Sequence, residues 1–315
     1  MTRTIGLISN PNSGHNRDHF PGIETRVAQT AVQHVVTDAA EQIPDALREL
    51  AAAGVDLLAI NGGDGTVAAI LGEMLERSHF STPPAIAILP GGTANMTAGD
   101  IGMRGSLPKA LERFCAFAHE PHSRAESIRR SLLRVTDGEG CIHHGMFLGA
   151  GAIIQGTEYA HREVHARGLR DDFSLALTTA RTVWGVVRGD PEFARSQPIQ
   201  IRLDGEPARE HDTLILALST LERLAFGMRP FYGAGPGDLR LTIMDQGCSR
   251  FARTFTSIVR GKPGPNAVPE QGYFSHNADS LTLTMEGKVN LDGEIIDVAG
   301  TLDVAATPAL EFLRL

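Results

Sequence analysis

Three glycine-rich strings stand in the first third of the chain, each after a short apolar run: Asn10–Gly14 (NPNSG), Gly62–Thr66 (GGDGT) and Pro90–Asn95 (PGGTAN). Glycine lets backbone N–H groups come close to an anion and adopt positive φ, so such loops can cradle phosphate. Each loop leads toward a helical segment, whose first N–H groups also favour an anion. Thr66 and Thr93 add hydroxyls at those ends, and Asn10 and Asn95 add amides. One such loop is ordinary turn punctuation; three in one sheet domain point to a nucleotide site. The site is not a P-loop, because GxxxxGK[ST] does not occur, and the GxGxxG of a dinucleotide fold is missing after the first strand. Two identical Asp-Gly-Glu strings supply carboxylates that could take a proton from an acceptor hydroxyl. Asp204-Gly205-Glu206 lies in IRLDGEPARE and Asp292-Gly293-Glu294 in VNLDGEIID. Asp-Gly is equally a hairpin signal, and both strings fit that reading.

The elements that must hold these residues follow two grammars. In the first third, strand-like Thr4–Ser9, Gln33–Val36, Val55–Asn61 and Ala85–Leu89 alternate with helical Pro44–Ala53 and Thr66–Arg77. Short apolar strands between helices predict a parallel sheet covered on both faces, with ligands beyond the carboxyl ends of its strands. Later, Ser131–Thr136, Gly145–Ala150, Ile199–Leu203, Thr213–Leu218, Leu239–Met244 and Ser280–Met285 read as strands joined by Asp-Gly or Gly-rich turns. That pattern predicts a β-rich antiparallel sandwich. Gln155–Arg188 reads as a helical insertion with balanced charge: Arg162, Arg167, Arg170, Arg181 and Arg188 against Glu158, Glu163, Asp171, Asp172 and Asp190. The fold class is therefore α/β, a nucleotide-binding parallel-sheet domain over 1–122 and a β-rich domain over 123–297 with the insertion at 155–188. The segment from about 298 to 315 can return to the first domain.

With 315 residues, 42% hydrophobic and 21% charged, the chain is long enough for two domains with real cores. Lys plus Arg is 29 and Asp plus Glu is 37, a net charge of −8 that argues against nucleic acid as a partner. Cys115, Cys141 and Cys248 are too sparse for a disulfide framework or a zinc site. His143-His144 would point to opposite faces of a strand, and His161 with His165 lacks a third ligand, so no zinc is predicted. The N-terminal MTRTIGLISNPNSG enters a strand-like segment at once, leaving no room for a signal peptide, and no apolar run reaches a membrane span. A cytoplasmic protein with at most peripheral membrane contact is expected.

NPNSG, GGDGT and PGGTAN, in that order, resemble the catalytic domain of the diacylglycerol kinase family, which includes soluble bacterial lipid kinases, sphingosine kinases and ceramide kinases. The resemblance extends through the β-rich half to the late Asp-Gly-Glu. It implies an ATP- and Mg²⁺-dependent kinase acting on a lipid alcohol, with diacylglycerol the first substrate and ceramide or a sphingoid base the alternative. Gly62, Gly63, Asp64, Gly65 and Thr66 match its phosphate loop; Gly91, Gly92, Thr93 and Asn95 match its second loop. Asn10 and Ser13 match the opening motif, and Thr37 falls where relatives contact nucleotide. The resemblance places the catalytic base at Glu294, supported by Asp292, with Glu206 as the decoy. Asp64 would orient its loop or help hold Mg²⁺. Three departures stand out. Ala68 and Ala69 replace the family's Asn-Glu, and Met96 follows Asn95 where relatives have Asp. Gly235-Pro236-Gly237-Asp238 displaces the metal-binding Asp, leaving Asp238 the weakest metal candidate. NAD kinases share GGDGT, but their next loop reads like TPTGSTAY rather than PGGTANMTAG. A nucleotide- or lipid-binding module without turnover is the remaining alternative. The resemblance allows a homodimer and does not name the lipid.

Overall fold

The structure is a computed structural model that describes residues 3–120, 125–167, 181–190 and 192–315. The expected boundary at 122/123 and residues Arg170, Asp171 and Asp172 of the helical insertion lie outside the described residues, as do the side chains of His161, Glu163, His165 and Arg167. Two compact units emerge, 1–130 with 309–315, and 131–308. Among the described residues no helix is long and apolar enough to cross a membrane.

In the first unit, β1 (Ile5–Ser9), β2 (Gln33–Val36), β3 (Leu57–Gly62), β4 (Ala85–Pro90), β5 (Glu126–Arg130) and β15 (Leu310–Arg314) form a sheet in the order β2-β1-β3-β4-β15-β5. β1, β3 and β4 are near-continuous apolar runs, buried almost throughout, as parallel strands covered on both faces must be. The covering helices are α1 (Asn16–Val27), α2 (Ile43–Ala52), α3 (Asp64–Glu76) and α5 (Leu107–His119), with a short α4 (Met96–Asp100). Pro44 and Pro108 occupy the first turns of α2 and α5, where a missing N–H costs nothing, and Gly54 at φ +72 follows the end of α2. Along α5, Leu107, Ala110, Leu111, Phe114 and Phe117 repeat at helical spacing and pack on Leu7, Ala59 and Leu89.

β15 runs parallel to β4 through Phe312 opposite Ile86 and antiparallel to β5 from Leu310 opposite Arg130 to Arg314 opposite Glu126. The first unit thus includes β5, beyond the 1–122 read from sequence, and takes back only 309–315; the preceding residues continue a strand of the other sheet.

That second, antiparallel sheet has nine strands: β6 (Leu133–Thr136), β7 (Ile142–Gly145), β8 (Phe147–Gly151), β9 (Gln197–Leu203), β10 (Arg209–Ser219), β11 (Leu239–Asp245), β12 (Tyr273–Ala278), β13 (Ser280–Leu291) and β14 (Glu294–Ala306). Alternation in β9 and β13 puts Ile199, Ile201, Leu281 and Leu283 into one core with Leu216, Leu241 and Leu302. α6 (Ala152–Arg167), the helical residues 181–188 and a helix at Phe251–Val259 complete the unit. The single strand read over Gly145–Ala150 is split at Met146, because the Asp292 carboxylate accepts the amides of both Met146, at 2.8 Å, and Phe147, at 3.0 Å.

Burial of Phe312 (0% exposed) between β4 and β5 makes β15 structural rather than decorative. Phe312→Ala should cost about 3–5 kcal/mol, read as a lowered urea midpoint for the first unit.

Candidate active site

All three glycine-rich loops leave the carboxyl ends of adjacent parallel strands: Asn10–Gly14 after β1, Gly63 onward after β3, and Gly91–Asn95 after β4. β1 lies between β2 and β3, so the winding of the chain reverses beside it, and a doubly wound sheet opens its crevice there.

The loops are tied to one another. The Asn10 side-chain amide donates to Thr66 Oγ1 at 3.0 Å, and its carbonyl Oδ1 accepts the Asn12 N–H at 2.9 Å. The Gly63 N–H donates to Ser13 Oγ at 3.2 Å, and the His15 N–H to the Gly91 carbonyl at 3.0 Å. Glycine permits the approaches. A Cβ on Gly92 would collide with the Gly63 α-carbon, one on Gly14 with the Thr93 hydroxyl, and one on Gly62 would lie 2.7 Å from Thr66 Cβ. Gly65 is different: a Cβ there would meet nothing within 4 Å. It sits in the first turn of α3, whose N–H groups have no intrahelical acceptor and which no side chain caps. Gly65 is exposed, and the amide donors of this turn are of the kind that suits an anionic group.

Several candidate residues hold the loops rather than face that space. Asn95, at φ +47, folds back on its own loop: its Oδ1 accepts the Gly92 N–H at 2.8 Å and its Nδ2 donates to the Gly92 carbonyl at 2.6 Å. Asp64 is buried, and its carboxylate accepts the Met96 N–H at 3.1 Å and the Thr97 N–H at 2.8 Å, so it caps α4. Thr37 is buried at the end of β2, with its N–H donating to the Ser9 carbonyl at 2.9 Å.

Sequence reading missed two asparagines. Asn16 and Asn61 are fully buried; Asn16 Nδ2 donates to the carbonyls of Asn10, at 2.7 Å, and Asn61, at 3.1 Å. Their own Oδ1 atoms have no partner among the described residues, and a Cβ on Gly91 would come within 2.7 Å of Asn16 Oδ1 and 2.5 Å of Asn61 Oδ1. The signal was present: Asn61 is the polar residue that closes the apolar run LLAIN. Beneath it, His34 Nε2 and Ser9 Oγ lie 2.9 Å apart, and burial lowers the His34 imidazole from its ordinary value against a smaller opposing pull from Glu24.

The second unit contains the remaining candidates. Both Asp-Gly strings close hairpins, with Asp204 at φ +44 before Gly205 and Asp292 at φ +49 before Gly293. Asp204 accepts the amides of Asp279 and Ser280 at 3.0 and 2.9 Å, much as Asp292 accepts those of Met146 and Phe147. The turns differ around the aspartate. Asn290 Oδ1 accepts the Gly293 N–H at 3.1 Å, fixing the second turn further. Glu206 is exposed beside Arg209 at 3.7 Å, whereas Glu294 is exposed and makes no ion pair among the described residues. Asp238 accepts the Ser131 hydroxyl at 2.7 Å. Among the described residues no three His, Cys, Asp or Glu stand together as a metal site, and both oxygens of Asp64 already accept amide hydrogens. Neither Asp64 nor Asp238 therefore fits a metal cage built by the protein.

Residues 4–124 match the family described as the diacylglycerol kinase catalytic domain. The whole chain is similar in fold to three solved structures from Bacillus anthracis str. Sterne. One, described as a candidate diacylglycerol kinase, is 17% identical at a TM-score of 0.67, over 99% of this chain and 97% of that one. Another, described as a diacylglycerol kinase, is 18% identical at 0.62, over 99% and 97%. A third, again described as a candidate, is 17% identical at 0.66, over 100% and 98%. No curated protein matches.

Two measurements test this geometry. Gly91→Ala should abolish nucleotide binding in equilibrium titration while secondary structure persists, because the methyl must displace both buried asparagine oxygens. For His34, a lowered pKa in the folded state means that protonation favours unfolding. Stability is full above the ordinary value of 6.5 and falls as pH drops through that value toward the folded one. The thermal midpoint should decline between about pH 7 and about pH 5, and His34→Gln should flatten that decline.

Proposed function

We propose that this protein, whose residues 4–124 match the diacylglycerol kinase catalytic-domain family, is an ATP-dependent lipid kinase whose acceptor is the hydroxyl of diacylglycerol. The observation that carries this reading is the convergence of three glycine-rich loops on the uncapped first turn of α3. Its N–H groups, with the hydroxyls of Thr66, Ser13 and Thr93, provide donors for phosphate oxygens, and preorganised donors are the main means by which proteins catalyse phosphoryl transfer. Asn10, Asn16, Asn61, Asp64 and Asn95 act through the loops they hold, and Thr37 lines the end of β2 beside them.

In the proposed reaction the lipid hydroxyl oxygen forms a bond to the γ-phosphorus as the bond to the ADP oxygen breaks. The hydroxyl proton passes to Glu294. Asp292 holds the turn that presents Glu294, through the Met146 and Phe147 amides, and is assigned a positioning role. Mg²⁺, if bound with the nucleotide, would supply charge neutralisation on the phosphates. No step is assigned to Asp64 or Asp238 as ligands. Such a kinase meets its acceptor at a bilayer surface as a peripheral protein.

The test is transfer of labelled phosphate from ATP to diacylglycerol, ceramide, sphingosine and phosphatidylglycerol, with NAD as control. Diacylglycerol should be labelled. Glu294→Ala should lower the rate by roughly 10²–10⁴-fold with little change in ATP affinity, and Glu206→Ala should match the native protein. Labelling of NAD alone, or ATP binding with no acceptor labelled, refutes the assignment.

A further inference from the structure

Phe226 is the most exposed large hydrophobic side chain among the described residues, at 57%. It is also strained, at φ +56 and ψ +19, inside a tight turn closed by the Gly227 N–H on the Leu224 carbonyl at 3.1 Å and by the Leu224 N–H on the Met228 carbonyl at 2.8 Å. A bulky aromatic residue with left-handed backbone is a genuine outlier, and such strain collects where function needs it.

Cations follow that ring along the chain and stand beside the helix end its turn adjoins. Three residues on, the Arg229 N–H donates to the Val259 carbonyl at 2.8 Å, and a Cβ on Gly261 would lie 3.2 Å from Arg229 Cβ. The turn is therefore packed on the carboxyl end of helix Phe251–Val259, where Arg260 and Lys262 follow. Across residues 246–269 there are four cations (Arg250, Arg253, Arg260 and Lys262) and no Asp or Glu, in a chain whose net charge is −8. Arg229, Arg253, Arg260 and Lys262 are exposed and form no ion pair among the described residues. Glu222, the nearest acid before the turn, lies 3.7 Å from Arg240. The helix buries Thr254 and Ile258 toward the core and leaves its one basic residue, Arg253, exposed.

We infer that Phe226 and the cations Arg229, Arg260 and Lys262 form a docking surface for a bilayer rich in anionic phospholipid. The ring enters the interface while the cations meet the headgroups. An apolar anchor combined with a basic patch is the arrangement that binds a charged membrane surface reversibly. The inference rests on the lipid-kinase reading for its purpose, but not for its test. Two simpler accounts exist: the cations complement the helix dipole, or the ring meets a second copy of the chain.

The experiment is co-sedimentation of the full chain with vesicles of phosphatidylcholine, alone or mixed with phosphatidylglycerol, at low and high salt. Phe226→Asn is the first variant, since asparagine tolerates left-handed backbone. Arg229→Gln and Lys262→Gln follow. The native protein should bind only the anionic vesicles and leave them in high salt. Phe226→Asn should bind roughly ten-fold more weakly. Each neutralised cation should weaken binding about five-fold. The thermal midpoint of Phe226→Asn should equal or exceed that of the native protein. Native-like binding by Phe226→Asn, equal binding to neutral vesicles, or loss of self-association without vesicle binding each overturns the proposal. Cation variants that lose stability but not binding do the same. A dispersed short-chain diacylglycerol separates the two readings. Phosphorylation of it without vesicle binding sinks the docking surface alone. Vesicle binding that depends on Phe226, with no acceptor phosphorylated, sinks the kinase alone.

Discussion

The second and third loops meet at two glycines: a Cβ on Gly92 would collide with the α-carbon of Gly63, so no side chain fits between them. Everything proposed for the nucleotide depends on that approach. With the second and third loops in contact, Asp64 can reach the amides of Met96 and Thr97, and Ser13 can accept the amide of Gly63. The uncapped turn of α3 is then held by its neighbours and not by a ligand. Preorganisation of this kind lets donors act on developing charge without reorganising when the reaction occurs. Buried Asn16 and Asn61, with oxygens unpartnered against Gly91, are a polar price the fold accepts for it.

Much of this was legible in the residues because the signals are local. Apolar runs such as LLAIN and AIAIL mark β3 and β4, and proline and glycine mark the ends of α2 within a residue or two. The glycine strings place the loops at the carboxyl ends of those strands. What was not legible is non-local. Asn16 matters only because two carbonyls from other segments converge on it. Asn95 reads as a ligand-facing side chain and Asp64 as either a loop-orienting or a Mg²⁺-holding one; in the fold Asn95 bonds the N–H and carbonyl of Gly92, and Asp64 accepts two backbone amides. β15 is a five-residue strand whose place beside β4 depends on contacts across most of the chain, which periodicity does not encode.

The two Asp-Gly-Glu strings show the same limit within the second unit. They share positive φ at the aspartate and a carboxylate accepting two amides from a neighbouring segment. The hairpins differ in length: β9 ends at Leu203 and β10 begins at Arg209, leaving Glu206 in the connection, whereas Leu291 pairs directly with Glu294 at the start of β14. They differ also in what each turn adjoins, the Arg209 guanidinium for one and the side chain of Asn290 for the other. Distinguishing a base from a corner therefore needs tertiary structure and, finally, chemistry.

The order of strands in the first sheet has a consequence for how the protein comes into being. A ribosome delivers β1 to β5 early, but the strand that separates β4 from β5 emerges only after the whole of 131–308. Until then β4 presents an unpaired edge flanked by apolar residues, the kind of surface that recruits chaperones or pairs wrongly. The later unit has no such wait, since its strands pair among themselves. The first sheet, begun before the second, is therefore closed only after the second unit has been synthesised.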